Sequence, residues 1–280
     1  MGTHREEFRL KPMCCVLKVS RSAYYHWRDH QADTRVGREV EVVEEIRHVH
    51  QQSRKTYGSP RITQELRRRG KHYNRKRIAR LMRAYGIRAK TKRRFKVTTQ
   101  TTTAQAVAEN LVRRQFVAER RNQLWTSDMT YVWTREGWLY LAVVLDVYSR
   151  RIVGYAMSNR LTTTLVMAAL QQALTERTSS DGLMFHSDRG SQYASAVVQR
   201  LLMHHDIRQS MSRTGSCYDN AITETFFHTL KTELTYWERH ETRDQAKLNI
   251  FEYIEVFYNR QRLHSALGYK TPEEFEQQLT

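Results

Sequence analysis

The sequence predicts an α/β domain preceded by an all-α module. Between residues 36 and 96, apolar residues recur at helical spacing between capping residues, which is typical of short amphipathic helices. From residue 121 onward, runs of β-branched and aromatic residues alternate with helical patterns, which predicts a sheet covered by helices. The basic charge lies almost entirely in the first of these two parts, which supports the division.

The positive charge predicts the kind of partner. The 280 residues carry a formal net charge of +18, and residues 1–125 hold 31 lysines and arginines against 11 acidic residues. Residues 54–96 hold 18 basic residues and a single acid, Glu65. Such a block indicates a surface for a polyanion, because each neutralised phosphate releases condensed counterions. A solvated basic face is the alternative.

The composition excludes several classes of protein. Three cysteines, two of them adjacent, provide neither a disulfide framework nor a Cys-x-x-Cys zinc pair. The longest apolar stretch, residues 138–145, is far shorter than the roughly 20 residues of a membrane span. Charges in residues 4–11 occupy the place where a signal peptide would be apolar. We therefore expect a cytoplasmic protein.

Two short helices are predicted within residues 10–28. A turn at residues 18–20 separates them, and the second helix begins at Ser20 or Ser22. Lys18 stands where a turn glycine is expected. The pair is either a small helix-turn-helix-like unit or a helical pair that packs on the core.

Two longer helices follow. Arg38–Gln51 is predicted to be amphipathic, with an apolar residue at every third position. These apolar residues are Val40, Val43, Ile46 and Val49. The next helix begins with Ser59 as its N-cap and Pro60 at its first position, and Gly70 ends it.

The third helix of this module is the most basic. Asn74 is expected to cap it, and Gly86 to end it in a left-handed conformation. Its inward residues are Ile78, Leu81 and Met82, and its outward residues are Arg75, Lys76, Arg77, Arg80 and Arg83. A basic helix after a glycine-containing turn is typical of helix-turn-helix docking, so we expect these outward residues to bind DNA.

A linker is predicted at residues 97–120. Residues 98–106 are rich in Thr, Gln and Ala without an apolar period, which favours a flexible connection. The basic run at residues 90–96 precedes the linker and is suited to following phosphates in a complex.

Three strands open the α/β domain. They are predicted at residues 124–133, 138–148 and 152–158, because β-branched and aromatic residues dominate there. A turn at residues 149–151 makes the last two strands an antiparallel hairpin. A helix is expected at residues 161–177.

Strands and helices alternate in the remainder of the domain. A short buried strand runs through Phe185 and ends at Asp188. A helix then opens near Ser191, and a strand follows at residues 207–211. A late helix is expected at Glu252–Arg262. Its predicted inward residues are Phe251, Ile254, Phe257 and Tyr258.

Another amphipathic helix begins near residue 220, capped by Asp219 or Asn220. Its apolar stripe consists of Ile222, Phe226, Leu230 and Leu234. At about 100° per residue, Glu224, His228 and Lys231 fall together on the opposite side.

Three acidic residues are candidates for metal ligands. Asp128 lies in the first strand, Asp188 ends a later strand, and Glu224 lies on the polar side of the helix. Carboxylate oxygens are the ligands that Mg²⁺ prefers, so these acids are suited to converge on a divalent ion. Asp146 also ends a strand, but it is expected to cap a turn.

The blocks around these acids resemble a known family. The blocks are Thr126-Ser-Asp, Ser187-Asp-Arg-Gly and Asp219-Asn-Ala-Ile-Thr-Glu. Between the successive acids of these blocks lie 59 and 35 residues, and Lys231 follows Glu224 by seven positions. This pattern is similar to the DDE core of retroviral integrases and bacterial insertion-sequence transposases. The likeness is greatest to the second-reading-frame (OrfB-type) protein of insertion-sequence family three, and it covers nearly the whole chain.

The resemblance implies a ribonuclease H-like, integrase-type core and a metal-dependent chemistry. DNA would be cleaved at the ends of the element, and the freed 3′-hydroxyl would be transferred in copy-out, paste-in transposition. Asp128, Asp188 and Glu224 would hold two Mg²⁺ or Mn²⁺ ions, with Asp128 bridging both. Lys231 would contact DNA near the scissile phosphate.

Two further residues are candidates for DNA contact. Asn220 is expected to cap its helix and to position DNA. His186 lies two residues before Asp188 on the same strand face, where it would orient that carboxylate or a terminal nucleotide. A histidine of the core is an equal alternative for His186.

The resemblance also implies partners. These are the terminal inverted repeats and target DNA, further copies of the chain on DNA, and a first-reading-frame protein with a helix-turn-helix and leucine zipper, as partner or fusion. No membrane is involved, and the bacterial nucleoid is the expected location. The expected division is an N-terminal helical segment (1–35), a DNA-binding module (36–96), the linker (97–120), the catalytic core (121–236) and a C-terminal helical extension (237–280).

Two other functions are compatible with the sequence. A nuclease of the same fold would hydrolyse DNA without strand transfer. A DNA-binding regulator that has lost catalysis is the alternative outside enzymes, although all three acids are present.

Overall fold

The computed structural model describes residues 7–29, 33–90, 108–112, 116–177, 182–212 and 220–278. The chain divides into two compact units, residues 1–89 and residues 90–280. Part of the basic run, most of the linker and the candidate cap Asp219 lie outside the described residues. Within the described parts, no helix is long and apolar enough to cross a membrane.

The described part of the first unit is helical. Its helices are α1 (Leu10–Val16), α2 (Arg21–Asp29), α3 (Asp33–Gln52), α4 (Ser59–Arg68) and α5 (Arg75–Ala84). The turn between α1 and α2 is confirmed: Lys18 adopts φ 52°, in the left-handed region that favours glycine. Ser20 Oγ then accepts a hydrogen bond from the backbone N–H of Ala23, at 3.1 Å.

The last three helices of this unit enclose a small core. Its buried residues include Val43, Ile46, Val49, Ile62, Leu66, Ile78, Leu81 and Met82. The prediction that Val40 faces the core is wrong. Val40 is 46% exposed, whereas Val42 and Val43 are buried. Helix α4 begins one residue earlier than predicted, with Gly58 as its N-cap.

The predicted ends of α5 are confirmed. Asn74 Oδ1 accepts a hydrogen bond from Lys76 N at 2.8 Å, which satisfies a donor of the first turn. Gly86 has φ 66°, and Ile87 N donates to Met82 O at 2.8 Å, which closes the helix in the expected way.

The second unit is built on a five-stranded sheet with the order β3-β2-β1-β4-β5. The strands are β1 (Leu124–Thr134), β2 (Gly137–Asp146), β3 (Ile152–Ser158), β4 (Met184–Ser187) and β5 (Arg208–Met211). The first three strands are antiparallel neighbours, and β4 is parallel to both β1 and β5. The predicted strands are confirmed, with ends shifted by at most two residues; β4 stops one residue before Asp188.

Helices α6 (Thr163–Glu176) and α7 (Ala196–His204) enclose a hydrophobic core of this unit. This core contains Trp125, Leu170, Phe185, Tyr193 and Val198 among others. Gly154 permits a close approach of β3 to α6, because a Cβ atom there would lie 2.2 Å from Ala169 O. The predicted helix start near Ser191 is wrong. Helix α7 begins at Ala196, where Ser195 provides the N-cap.

Helix α8 (Ala221–Leu230) packs against β1. The predicted apolar stripe is confirmed, because Ile222, Phe226, Leu230 and Leu234 are all buried. Glu224 and His228 are exposed, and Lys231 is partly buried. A π-helical turn, Lys231–Thr235, continues the helix.

The C-terminal residues add α9 (Arg243–Glu252), a second π-helical turn (Tyr253–Tyr258), a 3₁₀ turn (Ser265–Leu267) and α10 (Pro272–Gln277). The prediction that the late helix begins at Glu252 is wrong, since it begins at Arg243, where Thr242 Oγ1 accepts from Gln245 N. Phe251 is 48% exposed rather than inward. The π-helical turn that follows has more residues per turn than an α-helix, so Phe251 does not share a face with Ile254 and Phe257.

A buried ion pair joins the first π-helical turn to the C-terminal residues. The guanidinium of Arg262 donates to both carboxylate oxygens of Glu233, at 2.7 and 2.8 Å. The hydroxyl of Tyr253 donates to the same carboxylate at 2.7 Å. The turn that carries Lys231 is therefore held by residues that follow Glu233 in the chain by 20 and 29 positions.

Candidate active site

The ends of two neighbouring strands position the two aspartates. Ser127 and Ser187 form the last residue pair between the parallel strands β1 and β4. Asp128 and Asp188 each follow directly after this pair, so they lie side by side. Because successive side chains alternate between the faces of a sheet, both point to the same face.

Helix α8 brings Glu224 to this face. Thr223 Oγ1 donates to Thr126 Oγ1 at 2.8 Å, and Asn220 Nδ2 donates to the backbone oxygen of Ser127 at 3.2 Å. These two bonds fix the first turn of the helix over the end of β1. Glu224, in that turn, is exposed and lies close enough to influence the charge of Asp128.

The electrostatics of the three acids reflect their proximity. Burial raises the pKa of Asp128 well above its usual value, and the neighbouring carboxylates of Asp188 and Glu224 raise it further. Burial also raises the pKa of Asp188. The pKa of Glu224 is raised as well, because its carboxyl group is partly covered even though the residue as a whole is exposed. The N–H of Met129 and the ammonium of Lys231 oppose the shift of Asp128 only in part. A cation between these carboxylates would relieve both burial and repulsion.

The loop after β4 holds the carboxylate of Asp188. The backbone N–H of Gly190 donates to Asp188 Oδ1 at 3.0 Å. A Cβ atom at position 190 would lie 3.0 Å from the same oxygen, so glycine is the residue that leaves this carboxylate undisturbed.

Tyr193 and Ser127 support the site from the other face of β1, and the sequence did not reveal them. Their hydroxyl groups are hydrogen-bonded at 2.8 Å, and both residues are buried. The pKa of Tyr193 is raised well above its usual value by burial, and then by the nearby charges of Asp128 and Asp188. A tyrosine in a short turn before a helix gives no sequence signal for such a role.

The set of donors fits a hard divalent cation, since it consists of three carboxylates whose charges repel one another. The side chains are not yet in a ligating arrangement. Within the described residues, no three His, Cys, Asp or Glu side chains are grouped closely enough to hold a metal ion.

Lys231 borders the acids, as its sequence position predicted. Burial lowers the pKa of Lys231, and the charge of Asp128 raises it in opposition. The ammonium nitrogen lies 5.2 Å from the ring centroid of Tyr131, within the range of a cation–π contact. Lys231 is thus a cation beside the acids.

His186 does not reach the surface of the site. The residue is fully buried, its Nδ1 is 2.9 Å from Ser210 Oγ, and its ring lies edge-on against Phe116. The expectation that His186 contacts a nucleotide is therefore wrong, and the alternative of a core histidine is the one observed.

Asn220 and Asp146 differ in outcome. Asn220 occupies the N-cap position of α8, but its side chain makes no capping bond and is only 4% exposed. A DNA contact through this side chain does not fit the structure, since the amide instead joins α8 to β1. Asp146 caps a turn as predicted, because Oδ1 accepts from Tyr148 N at 3.0 Å and Oδ2 from Asn122 N at 2.9 Å.

The basic helix α5 is a second candidate site, within the first unit. Arg75, Lys76 and Arg83 are exposed. Arg80 is paired with Glu39 at 2.5 Å, and Arg77 lies over the ring of Tyr73. Four of the five predicted DNA-binding residues, Arg80 among them, are thus exposed to solvent, and Arg77 is partly buried.

Comparison with known proteins places the chain in a class and then in a family. Residues 118–217 and 224–279 match models of the integrase core domain, and residues 38–95 match an HTH-like domain. The chain is thus an integrase-core polynucleotidyl transferase of the DDE type. It is 43% identical over 277 residues to "Transposase InsF for insertion sequence IS3A" of Escherichia coli, which covers 98% of this chain and 96% of that protein. The chain belongs to the IS3 family of transposases, as a protein of the second-reading-frame type.

The chain is also similar to other proteins. The "Insertion element IS600 uncharacterized 31 kDa protein" of Shigella sonnei is 44% identical over 265 residues, covering 95% of this chain and 97% of that protein. Among solved structures, an intasome of simian T-cell lymphotropic virus matches with a TM-score of 0.48 at 16% identity, covering 64% of this chain and 59% of the other. The HTLV-2 integrase catalytic core domain in complex with magnesium matches with a TM-score of 0.44 at 18% identity, covering 56% and 98%.

Proposed function

We propose that this transposase cleaves DNA at the ends of an insertion sequence in a Mg²⁺-dependent reaction and transfers the freed 3′-hydroxyl to another phosphodiester. The overall route would be copy-out, paste-in transposition through a circular intermediate. One observation carries the proposal: Asp128 and Asp188 follow the last residue pair of two parallel strands, and α8 places Glu224 beside Asp128.

The three acids are the proposed ligands of two Mg²⁺ or Mn²⁺ ions. When bound, such ions lower the pKa of an attacking hydroxyl or water and neutralise charge at the phosphorus. Gly190 keeps the carboxylate of Asp188 in place through its N–H. Lys231 provides a positive charge next to Asp128, where we propose that it contacts a phosphate of the cleaved strand.

DNA binding is proposed to involve both units. In the first unit, the basic side chains of α5 would contact phosphates of the terminal inverted repeats. Target DNA would be bound at the catalytic unit. Cutting two ends together requires more than one copy of the chain, so we propose that it forms homo-oligomers on DNA. A first-reading-frame protein would supply further specificity for the repeats, as partner or fusion.

A strand-transfer assay tests the proposal. An oligonucleotide duplex with a labelled element end is incubated with the full chain, target DNA and Mg²⁺, with and without the first-frame protein. We expect cleavage and joining of the labelled 3′ end, and we expect Asp188→Asn to abolish both. Asp244→Asn is the matched control, because that acid is on the surface of α9 and pairs only with Lys247 among the ion pairs described.

Two results would contradict the proposal. Cleavage without joining would indicate a nuclease. Unchanged Mg²⁺-dependent cleavage by the Asp188→Asn protein would show that this carboxylate has no catalytic role.

A further inference from the structure

Three exposed aromatic side chains form a cluster near the hairpin that joins β1 to β2. Tyr131, Trp133 and Trp138 are 51%, 58% and 43% exposed. The ring of Trp138 makes T-shaped contacts with Tyr131 and Trp133, at centroid distances of 4.9 and 4.8 Å. Single exposed aromatic residues are common on protein surfaces, but a contiguous group of three is typical of a binding surface.

The aromatic cluster adjoins the catalytic acids. The pairing of β1 with β4 ends at Ser127, and beyond it β1 is paired with β2, apart from a single bridge between Thr134 and His240. Tyr131 lies on this part of β1, and the ammonium nitrogen of Lys231 is 5.2 Å from its ring centroid. Lys231 in turn interacts with Asp128. Tyr131 and Trp133 project from the face of β1 opposite to Asp128, and Lys231 lies between the two at the part of β1 that β4 does not cover.

We propose that the aromatic cluster binds unpaired nucleobases of the DNA strand next to the scissile phosphate, by stacking. The proposal rests on the function proposed above, because DNA is the substrate of the adjoining acids. In a duplex the base faces are covered by their neighbours, and they become accessible where an end is unpaired. Exposed aromatic rings beside a cation are the combination that binds single-stranded nucleic acid.

A protein partner fits the aromatic cluster less well. A stable protein interface buries about 800 Å² on each partner. A fully covered aromatic side chain buries about 150–250 Å², and these three side chains are already covered by about half. The remaining area suits one or two bases. Lys231 also places a positive charge at the border of the cluster, which suits a phosphate backbone.

The test is a binding measurement with the full chain in the absence of divalent metal. Fluorescence anisotropy reports the affinity for a labelled oligothymidylate, for a blunt duplex of equal length, and for an oligonucleotide of abasic sites. The test variant is Trp133→Ala with Trp138→Ala. Phe251→Ala is the matched control, because Phe251 is also an exposed aromatic residue, 48% exposed, and lies near the C-terminal end of α9, outside the aromatic cluster. A variant with phenylalanine at both tryptophan positions retains the ring faces.

We expect the double alanine variant to bind oligothymidylate at least roughly fivefold more weakly, since stacking contributes about 1–3 kcal/mol per base. Binding to the duplex and to the abasic oligonucleotide is expected to change by less than about twofold. The salt dependence is expected to stay the same, because the variant keeps every basic side chain that neutralises a phosphate. The phenylalanine variant is expected to restore most of the affinity for oligothymidylate.

Three outcomes would overturn the proposal. In the first, the double alanine variant binds oligothymidylate as tightly as the control variant does. In the second, it loses as much affinity for the abasic oligonucleotide as for oligothymidylate. The third outcome is an altered sedimentation coefficient with unchanged DNA binding, which would indicate a protein interface. The assay needs no catalysis, so a failure of the proposed strand transfer would leave its result interpretable.

Discussion

Replacing Glu233 by alanine is expected to destabilise the second unit, residues 90–280, strongly. The side chains of Glu233 and Arg262 are only 8% and 7% exposed, and the hydroxyl of Tyr253 completes the cluster. Burial alone lowers the pKa of Arg262, but the carboxylate of Glu233 raises it above its usual value. Removing the carboxylate leaves a buried guanidinium uncompensated, which costs about 3–5 kcal/mol. For a unit of this size, each kcal/mol shifts Tm by about 2–4 °C, so a decrease of roughly 6–20 °C is expected.

Thermal unfolding followed by circular dichroism measures this change. The control is Glu241→Ala, which removes an exposed ion pair with Arg135 and is expected to cost less than about 1 kcal/mol. A second variant replaces both Glu233 and Arg262 by methionine. It is expected to recover most of the stability, because a packed apolar pair leaves no charge buried.

The reasoning is refuted if Glu233→Ala lowers Tm no more than the surface control does. It is also refuted if the double methionine variant is as unstable as the single variant, since buried charge would then not be the cause. Strand transfer at a temperature where all variants are folded adds a functional measurement. The π-helical turn carries Lys231, so we expect the alanine variant to be less active there.

Three further predictions concern charge and geometry. Asp128→Asn is expected to raise Tm at pH 8, because burial and neighbouring acids raise the pKa of Asp128 and make its ionisation unfavourable. The stability of the wild-type protein falls as pH rises through that raised pKa. In a pH series of melting curves, the difference in Tm between the two proteins should therefore vanish below about pH 4. Gly190→Ala is expected to reduce strand transfer with little change in Tm, because the added Cβ atom lies 3.0 Å from Asp188 Oδ1; an equal loss of secondary structure would contradict this. Alanine at Arg75 and Lys76 is expected to reduce the slope of log affinity for duplex DNA against log salt by about 1 for each phosphate that is no longer neutralised, and an unchanged slope would exclude them as DNA-binding residues.

Local signals predicted most of the fold correctly. Asn74 caps α5 as predicted, because a short polar side chain directly before a helical pattern can accept a hydrogen bond from the first turn of the helix. The stripe from Ile222 to Leu234 is buried because its period matches the helix. The side-by-side position of Asp128 and Asp188 follows from their common place at strand ends, once the strands are neighbours in the sheet.

Features set by tertiary contacts were not predictable in the same way. The exposure of Val40 and Phe251 depends on where neighbouring helices begin to cover each surface. The π-helical turn at Lys231–Thr235 has no signal in local propensity, and it includes one partner of a buried ion pair whose other partner is distant in sequence. Asn220 has the composition of a cap, but the backbone oxygen of Ser127 binds its amide instead.

The hydrogen bonds of Asn259 have a consequence for the edge of the sheet. Its side-chain amide donates to the backbone oxygen of Ile152 and accepts from the N–H of the same residue, both at 3.0 Å. One side chain thereby satisfies both backbone polar groups of the first residue of the outermost strand, β3, which a strand from another molecule could otherwise bind. A protein shortened before residue 259 would expose these two groups, and we expect it to aggregate more readily through that edge even if Asp128, Asp188 and Glu224 were intact.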